Sequence, residues 1–196
     1  MILERGDLYP PGSFPRNPFD IARNVWDPGK GLHGLFDLWS FSGIDALVAS
    51  GVGGGSLIYA NVLLRKEARW FVENGTDGED WPITRAELDP HYDDIEQALH
   101  AQQYPFDQKP YSETAKAVMM REAGQELGLD WKLPKLAVRF GNTDTNPGTG
   151  IPVNEIVPNI HGRVRLTCLL CGECDIGCNF GSKSCLLYTS PSPRDS

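Results

Sequence analysis

The sequence predicts an α/β fold, and three observations carry that prediction. Met1-Ile2-Leu3-Glu4 reads as the end of a buried strand that closes on an acid. Ala46-Leu47-Val48-Ala49 is a short apolar run that feeds a glycine-rich turn, Gly51-Val52-Gly53-Gly54-Gly55-Ser56. Thr84-Arg85-Ala86-Glu87 is a Thr-x-x-Glu box, which starts a helix by satisfying its free N–H groups. Short apolar strands mixed with capped amphipathic helices are the pattern of α/β chains.

Composition sets the outer limits. The chain has 196 residues, 40% of them hydrophobic, which suits one medium domain or two small ones. Its 18 Lys and Arg stand against 26 Asp and Glu, a formal net charge of −8. That balance argues against nucleic acid or an anionic membrane surface as partner, because phosphates recruit an excess of cations. No apolar run reaches the roughly 20 residues of a membrane span, and the first residues form no signal peptide, so a cytoplasmic location is expected. With 21 Gly and 15 Pro, long structured loops are expected instead of a helical bundle.

The elements follow in chain order. Glu4 admits two readings: the acid that ends the second strand of a dinucleotide-binding unit and takes ribose hydroxyls, or a solvated acid after a short strand. Residues 7–45 are rich in proline and aromatic residues and read as irregular segments laid over a scaffold. Residues 57–64 are apolar enough to be buried. From Thr84 a helix carries Leu88, Tyr92, Ile95 and Leu99 as one apolar stripe, with Asp89, Asp93, Asp94 and Glu96 as a solvated face. A second helix is expected over Ser112–Leu127, with Ala115, Val118, Met119, Ala123 and Leu127 as its core side and Gly128 as its stop. Between Leu133 and Val164 short β-prone runs alternate with turns such as Asn146-Pro147-Gly148.

Cys168, Cys171, Cys174 and Cys178 have the spacing C-x2-C-x2-C-x3-C, the run that holds a [4Fe–4S] cluster in bacterial ferredoxins. A tetrathiolate zinc site, redox thiols and a loop of free thiols are the other readings of the same spacing. Asn179 stands where the ferredoxin run usually has proline. An iron–sulfur electron-transfer module is therefore the alternative function at this stage. The histidines offer no catalytic base: His33, His91 and His100 read as surface residues, and His161 stands apart near the cysteines.

A glycine run without Cβ atoms lets a backbone approach a ligand closely. The whole word Gly51-Val52-Gly53-Gly54-Gly55-Ser56-Leu57-Ile58-Tyr59-Ala60-Asn61-Val62 resembles the flavin-proximal loop of the glucose–methanol–choline (GMC) oxidoreductases, in their sterol-oxidising branch. Leu3-Glu4-Arg5-Gly6, Trp81-Pro82-Ile83-Thr84 and Gly172–Ser184 are similar to further parts of that family. The resemblance implies a partial FAD/NAD(P)-binding, three-layer domain with the beginning of a GMC-type substrate domain. It divides the chain into an FAD-binding part (1–70), an insertion towards the substrate domain (71–165) and a cysteine-rich return (166–184). It implies FAD as cofactor, a small-molecule alcohol or sterol as substrate, and oxidation of a CH–OH group by hydride transfer to the flavin.

By position, Glu4 would hold the adenosine ribose, Gly54, Gly55 and Ser56 would pass close to the flavin and its phosphates, and Tyr59, Ala60 and Val62 would contact the isoalloxazine. Ser50 and Tyr59 depart from the family pattern, which has Arg at the first position in many members and Asn at the second in sterol oxidases. The family's glycine fingerprint and catalytic His/Asn pair are expected outside this stretch, so the chain alone is expected to be inactive. Cys185–Ser196 resembles a translated sequencing adapter and is expected to lie outside the fold.

Overall fold

A computed structural model describes residues 3–71, 81–155, 159 and 161–185. Local signals set its helices. Asn17 accepts from the Asp20 N–H and Pro18 opens α1, Pro18–Arg23. The Thr84 hydroxyl accepts from the Glu87 N–H while the Glu87 carboxylate accepts from the Thr84 N–H at 2.7 Å, which starts α2, Arg85–Ala98, as the capping box predicts. A 3₁₀ turn over Tyr111–Glu113 precedes α3, Ala115–Glu126, and Gly128 follows it in the left-handed region at φ +63°.

The strands are short and antiparallel. β1, Trp26–Asp27, pairs with β2, Leu32–His33, and β5, Gln102–Gln103, pairs with β6, Lys135–Leu136. β3, Phe36–Phe41, and β4, Ile44–Ala49, form a hairpin in register from Phe36↔Ala49 to Phe41↔Ile44. This hairpin replaces the irregular segment expected up to residue 45. Two runs of equal length flank Ser42-Gly43, and Gly43 turns the chain at φ +85°.

Helices and strands are thus mixed, as an α/β chain requires, but the described residues do not by themselves build a three-layer sheet. Their strands form three separate two-stranded ladders. Short turns join β1 to β2 and β3 to β4, and such turns can only make antiparallel pairs, since parallel pairing needs a long crossover. Parallel contact survives at two isolated bridges, Asp7↔Gly51 and Val25↔Phe36. Of the strand end expected at Met1–Glu4, Met1 and Ile2 lie outside the described residues, Leu3 and Glu4 are not in a strand, and the first bridge among the described residues is at Asp7.

Two apolar clusters form the core. The first joins Tyr9, Phe14, Leu35, Phe36, Ala49, Leu57 and Cys185, and the second joins Tyr111, Val138 and Phe140. Cys185 is only 1% exposed, so the segment expected outside the fold contributes its first residue to the core; residues 186–196 lie outside the described ones. α3 turns out otherwise than its periodicity suggests. Ala115, Met119, Ala123 and Leu127 are exposed and Gly124 is its buried residue, against Trp131.

The acidic face of α2 is also not simply solvated. Arg65 donates to Glu96 and Asp93 at 2.6 Å each and to Asp89 at 3.4 Å, and Lys135 meets the other Glu96 oxygen at 2.9 Å. Arg65 therefore ties the segment after the glycine loop to α2, and Glu96 is buried between two cations. The hydrogen bond from Arg65 is the main reason that the Glu96 pKa is held down to about 2, against the desolvation that opposes it. A carboxylate lowered in the folded state stabilises above its unfolded pKa and loses that effect as pH falls through the folded one. We expect Glu96→Gln to cost about 2 kcal/mol at pH 7. Urea titrations should show the gap between variant and parent closing as pH falls from about 4.5 towards 2.

Candidate functional site

The glycine loop follows β4 directly, and its placement depends on close backbone approach. Val52 N–H donates to the Asp7 carbonyl at 3.0 Å, so the segment after Glu4 runs alongside Ser50–Val52. Gly6 makes this contact possible: a Cβ there would overlap the Ser50 carbonyl. The chain then turns through a 3₁₀ helix over Gly54–Leu57, entered at Gly53 with φ +112° and Gly54 with φ +55°. Leu57 anchors the turn in the first core cluster. A Cβ at Gly54 or Gly55 would meet nothing within 4 Å, so this stretch of backbone is bare and open.

The sequence-predicted cofactor residues fall into two groups around that turn. Gly54 and Gly55 offer open backbone, and Ala60 and Val62 are near or exposed at the surface beyond it, Val62 at 57%. Ser56 and Tyr59 turn inward. The Ser56 hydroxyl donates to the Gly53 carbonyl at 2.8 Å, and the Tyr59 hydroxyl donates to the Ser184 carbonyl at 2.5 Å. Burial pushes the Tyr59 phenol pKa well up, so it stays a donor. Both hydroxyl groups are thereby engaged within the fold. The Glu4 carboxylate is exposed and oriented, with one oxygen accepting the N–H groups of Arg5 at 2.8 Å and Gly6 at 3.1 Å.

The cysteine segment packs against the same turn. Arg16 donates to Glu173 at 2.6 Å and to the Gly177 carbonyl at 2.7 Å, while Asn179 bonds both the N–H and the carbonyl of Phe14. Burial pushes the Cys174 thiol pKa up, and the Asn61 side chain beside it opposes that shift. Lys183, 2% exposed, spends its ammonium on three carbonyls: Leu57 at 2.8 Å, Tyr59 at 2.9 Å and Cys174 at 2.6 Å. Its charge also lies 4.8 Å from the centre of the Tyr59 ring. Burial lowers the Lys183 pKa, and the neighbouring Cys174, Cys178, Cys185 and Asp175 oppose that shift. Sequence reasoning missed both Lys183 and Asn61. The available signals were a lone cation among small residues and an asparagine, a type that tolerates the left-handed φ of +59° seen at position 61.

Among the described residues no three His, Cys, Asp or Glu side chains are grouped to hold a metal ion, and the cysteines are free thiols. The sulfurs of the run differ in burial, although Cys171, Cys174 and Cys178 each push the Cys168 pKa upward. Cys168 packs on the second core cluster, where burial pushes its pKa up to about 12, Cys171 is exposed, and Cys174 lies beside Asn61. The four-thiolate [4Fe–4S] reading of Cys168, Cys171, Cys174 and Cys178 is therefore not favoured.

His33, His91 and His100 are exposed, as their sequence context suggests. His161 is half-buried, and burial lowers its pKa. Two clefts lie away from the glycine loop. One of about 460 Å³ is lined by Pro11, Arg163, Val164, Leu166, Asn179 and Phe180 together with Gly162, and one of about 170 Å³ lies between Leu63–Arg65 and α2. Among the described residues no helix is long and apolar enough to cross a membrane.

No protein-family model matches the chain, and no solved structure matches it. Curated proteins do. Cholesterol oxidase of Mycobacterium tuberculosis (strain CDC 1551 / Oshkosh) is 30% identical over 190 residues, covering 95% of this chain and 31% of the relative. The protein of the same name in strain ATCC 25618 / H37Rv gives the same values. Cholesterol oxidase of Acinetobacter baumannii is 29% identical over 188 residues, covering 94% of this chain and 32% of the relative. The chain thus spans about a third of the length of the curated relatives it matches.

The two glycines separate backbone strain from crowding. Gly54→Ala places a Cβ in open space at positive φ and should cost about 1 kcal/mol. Gly6→Ala must push two backbone segments apart and should cost about 3 kcal/mol. Equal shifts of the two urea midpoints would contradict this account of the contact.

Proposed function

We propose that the chain is the cofactor-facing part of a larger FAD-dependent oxidoreductase of the GMC type, acting on the CH–OH group of an alcohol or sterol donor. The observation that carries this reading is the seating of the Glu4–Asp7 segment against Ser50–Val52, immediately before the open Gly54–Gly55 turn. An acid suited to a ribose and a bare backbone suited to a flat ring thereby belong to two segments bridged in parallel at Asp7 and Gly51. The similarity to cholesterol oxidases along nearly the whole chain supports the reaction class.

The residues present fit a flavin dinucleotide. The free oxygen of Glu4 is an acceptor for ribose hydroxyls, since its partner oxygen is already held by two N–H groups. Gly54 and Gly55 leave room for an aromatic face against the main chain, because neither position carries a side chain into that space. Ala60 and Val62 supply small apolar contact beside it. When bound, the flavin supplies a hydride acceptor for the carbinol carbon of the donor. In this reading residues 1–70 and 166–184 belong to the cofactor domain and 71–165 lead to the substrate domain. Contacts of the 173–184 segment with Phe14, Arg16, Leu57 and Tyr59 support that assignment.

Expression of the longer open reading frame around this stretch tests the proposal. A yellow protein is expected, with flavin bands near roughly 380 and 450 nm that bleach when a sterol or simple secondary alcohol is added without oxygen. The 196-residue chain by itself is expected to purify without stoichiometric FAD. A colourless longer protein, or a brown one releasing acid-labile sulfide, would overturn the reading.

A further inference from the structure

Lys183 is a buried cation that the functional reading leaves without a task. An ammonium has three N–H donors and no acceptor, and here all three are aimed at main-chain carbonyls from two segments far apart in sequence. The lysine backbone is itself fixed, because Val138 bridges to Lys183 while Arg139 N–H donates to the Ser182 carbonyl at 2.9 Å and Ser184 N–H to the Ala137 carbonyl at 2.8 Å. The side chain therefore projects from an anchored strand into the turn that follows the bare glycines.

The direction of those carbonyls has a consequence. A trans peptide is planar, with its C=O and the following N–H pointing opposite ways. Drawing the Leu57 and Tyr59 carbonyls onto the ammonium turns the N–H groups of Ile58 and Ala60 away from it. The Ile58 N–H is used within the turn, donating to the Gly55 carbonyl at 3.1 Å. Ala60 is exposed, and no backbone carbonyl among the described residues accepts its N–H. A further contact holds the same turn, the Tyr59 hydroxyl on the Ser184 carbonyl.

We propose that Lys183 is a positioning residue for the flavin-facing turn: by holding the Leu57, Tyr59 and Cys174 carbonyls it presents the Ala60 N–H outward as a hydrogen-bond donor to an acceptor atom of the isoalloxazine. The inference rests on the functional reading above and adds to it the residue that orients the donor. Lys183 itself touches no cofactor in this scheme.

The test uses the flavoprotein expressed from the longer reading frame, with the 196-residue chain beside it. Lys183→Met fills the same space without donors, and Lys183→Arg keeps charge and donors. Lys183→Met should weaken FAD binding about tenfold or more, the equivalent of one lost charge-assisted hydrogen bond. It should also shift the visible flavin band and speed amide hydrogen exchange at residues 58–62, with exchange in α2 unchanged. Lys183→Arg should restore most of the affinity and the band position. Unchanged flavin affinity and spectrum in Lys183→Met would overturn the proposal. So would a loss of protection that extends through α2 and is not restored by arginine, since that marks a general structural role. A longer protein without flavin would sink the functional reading, and exchange at residues 58–62 in the 196-residue chain would still decide whether Lys183 orders the turn.

Discussion

A buried ammonium cannot stay unpaired, and the structure around Lys183 answers that constraint with three carbonyls. Two come from the turn after the glycine run and one from the cysteine segment, so a single charge fastens segments more than a hundred residues apart. The demand is electrostatic and strict: removing any acceptor would leave an N–H of a desolvated cation without a partner. The Tyr59 ring beneath the charge and the Tyr59 hydroxyl on Ser184 reinforce the same junction.

A second junction works by exclusion of side chains instead of by charge. Gly6 lies so close to the Ser50 carbonyl that any other residue would force the strands apart, and the Asp7↔Gly51 bridge depends on that approach. Together the two junctions fix the glycine turn at both ends. The turn between them is left with no side chain of its own at positions 54 and 55 and an open side facing outward. This combination of rigid ends and a bare middle is what a flat, polar-edged ligand needs, because the backbone loses little freedom on binding.

Arg65 extends the order outward. Its three carboxylate partners on α2 connect the segment leaving the turn to the helix that begins at the Thr84 box. An acidic helix face that would otherwise repel itself becomes an attachment surface, and Glu96 can be buried because Arg65 and Lys135 meet its two oxygens.

The capping box of the second helix and the glycine stop of the third were legible in the sequence because each acts over three or four residues, whereas the first helix, Pro18–Arg23, fell inside a stretch read as irregular. The glycine word and its bare backbone were legible for the same reason. The hairpin was missed although its Ser42-Gly43 turn lay in plain view, since the aromatic residues around it read as irregular. What only tertiary structure decided were the partners of isolated charges and the facing of weak apolar stripes. Nothing near Lys183 or Glu96 in the chain names its partners, and Met119 and Leu127 keep helical spacing yet face outward. The cysteine run shows the same limit: the spacing names four thiols, but only the fold decides their burial, with Cys168 packed on a core cluster and Cys171 exposed. Local backbone chemistry is written in neighbouring residues, whereas the pairing of buried charges and thiols depends on which distant segments the fold brings within hydrogen-bond reach.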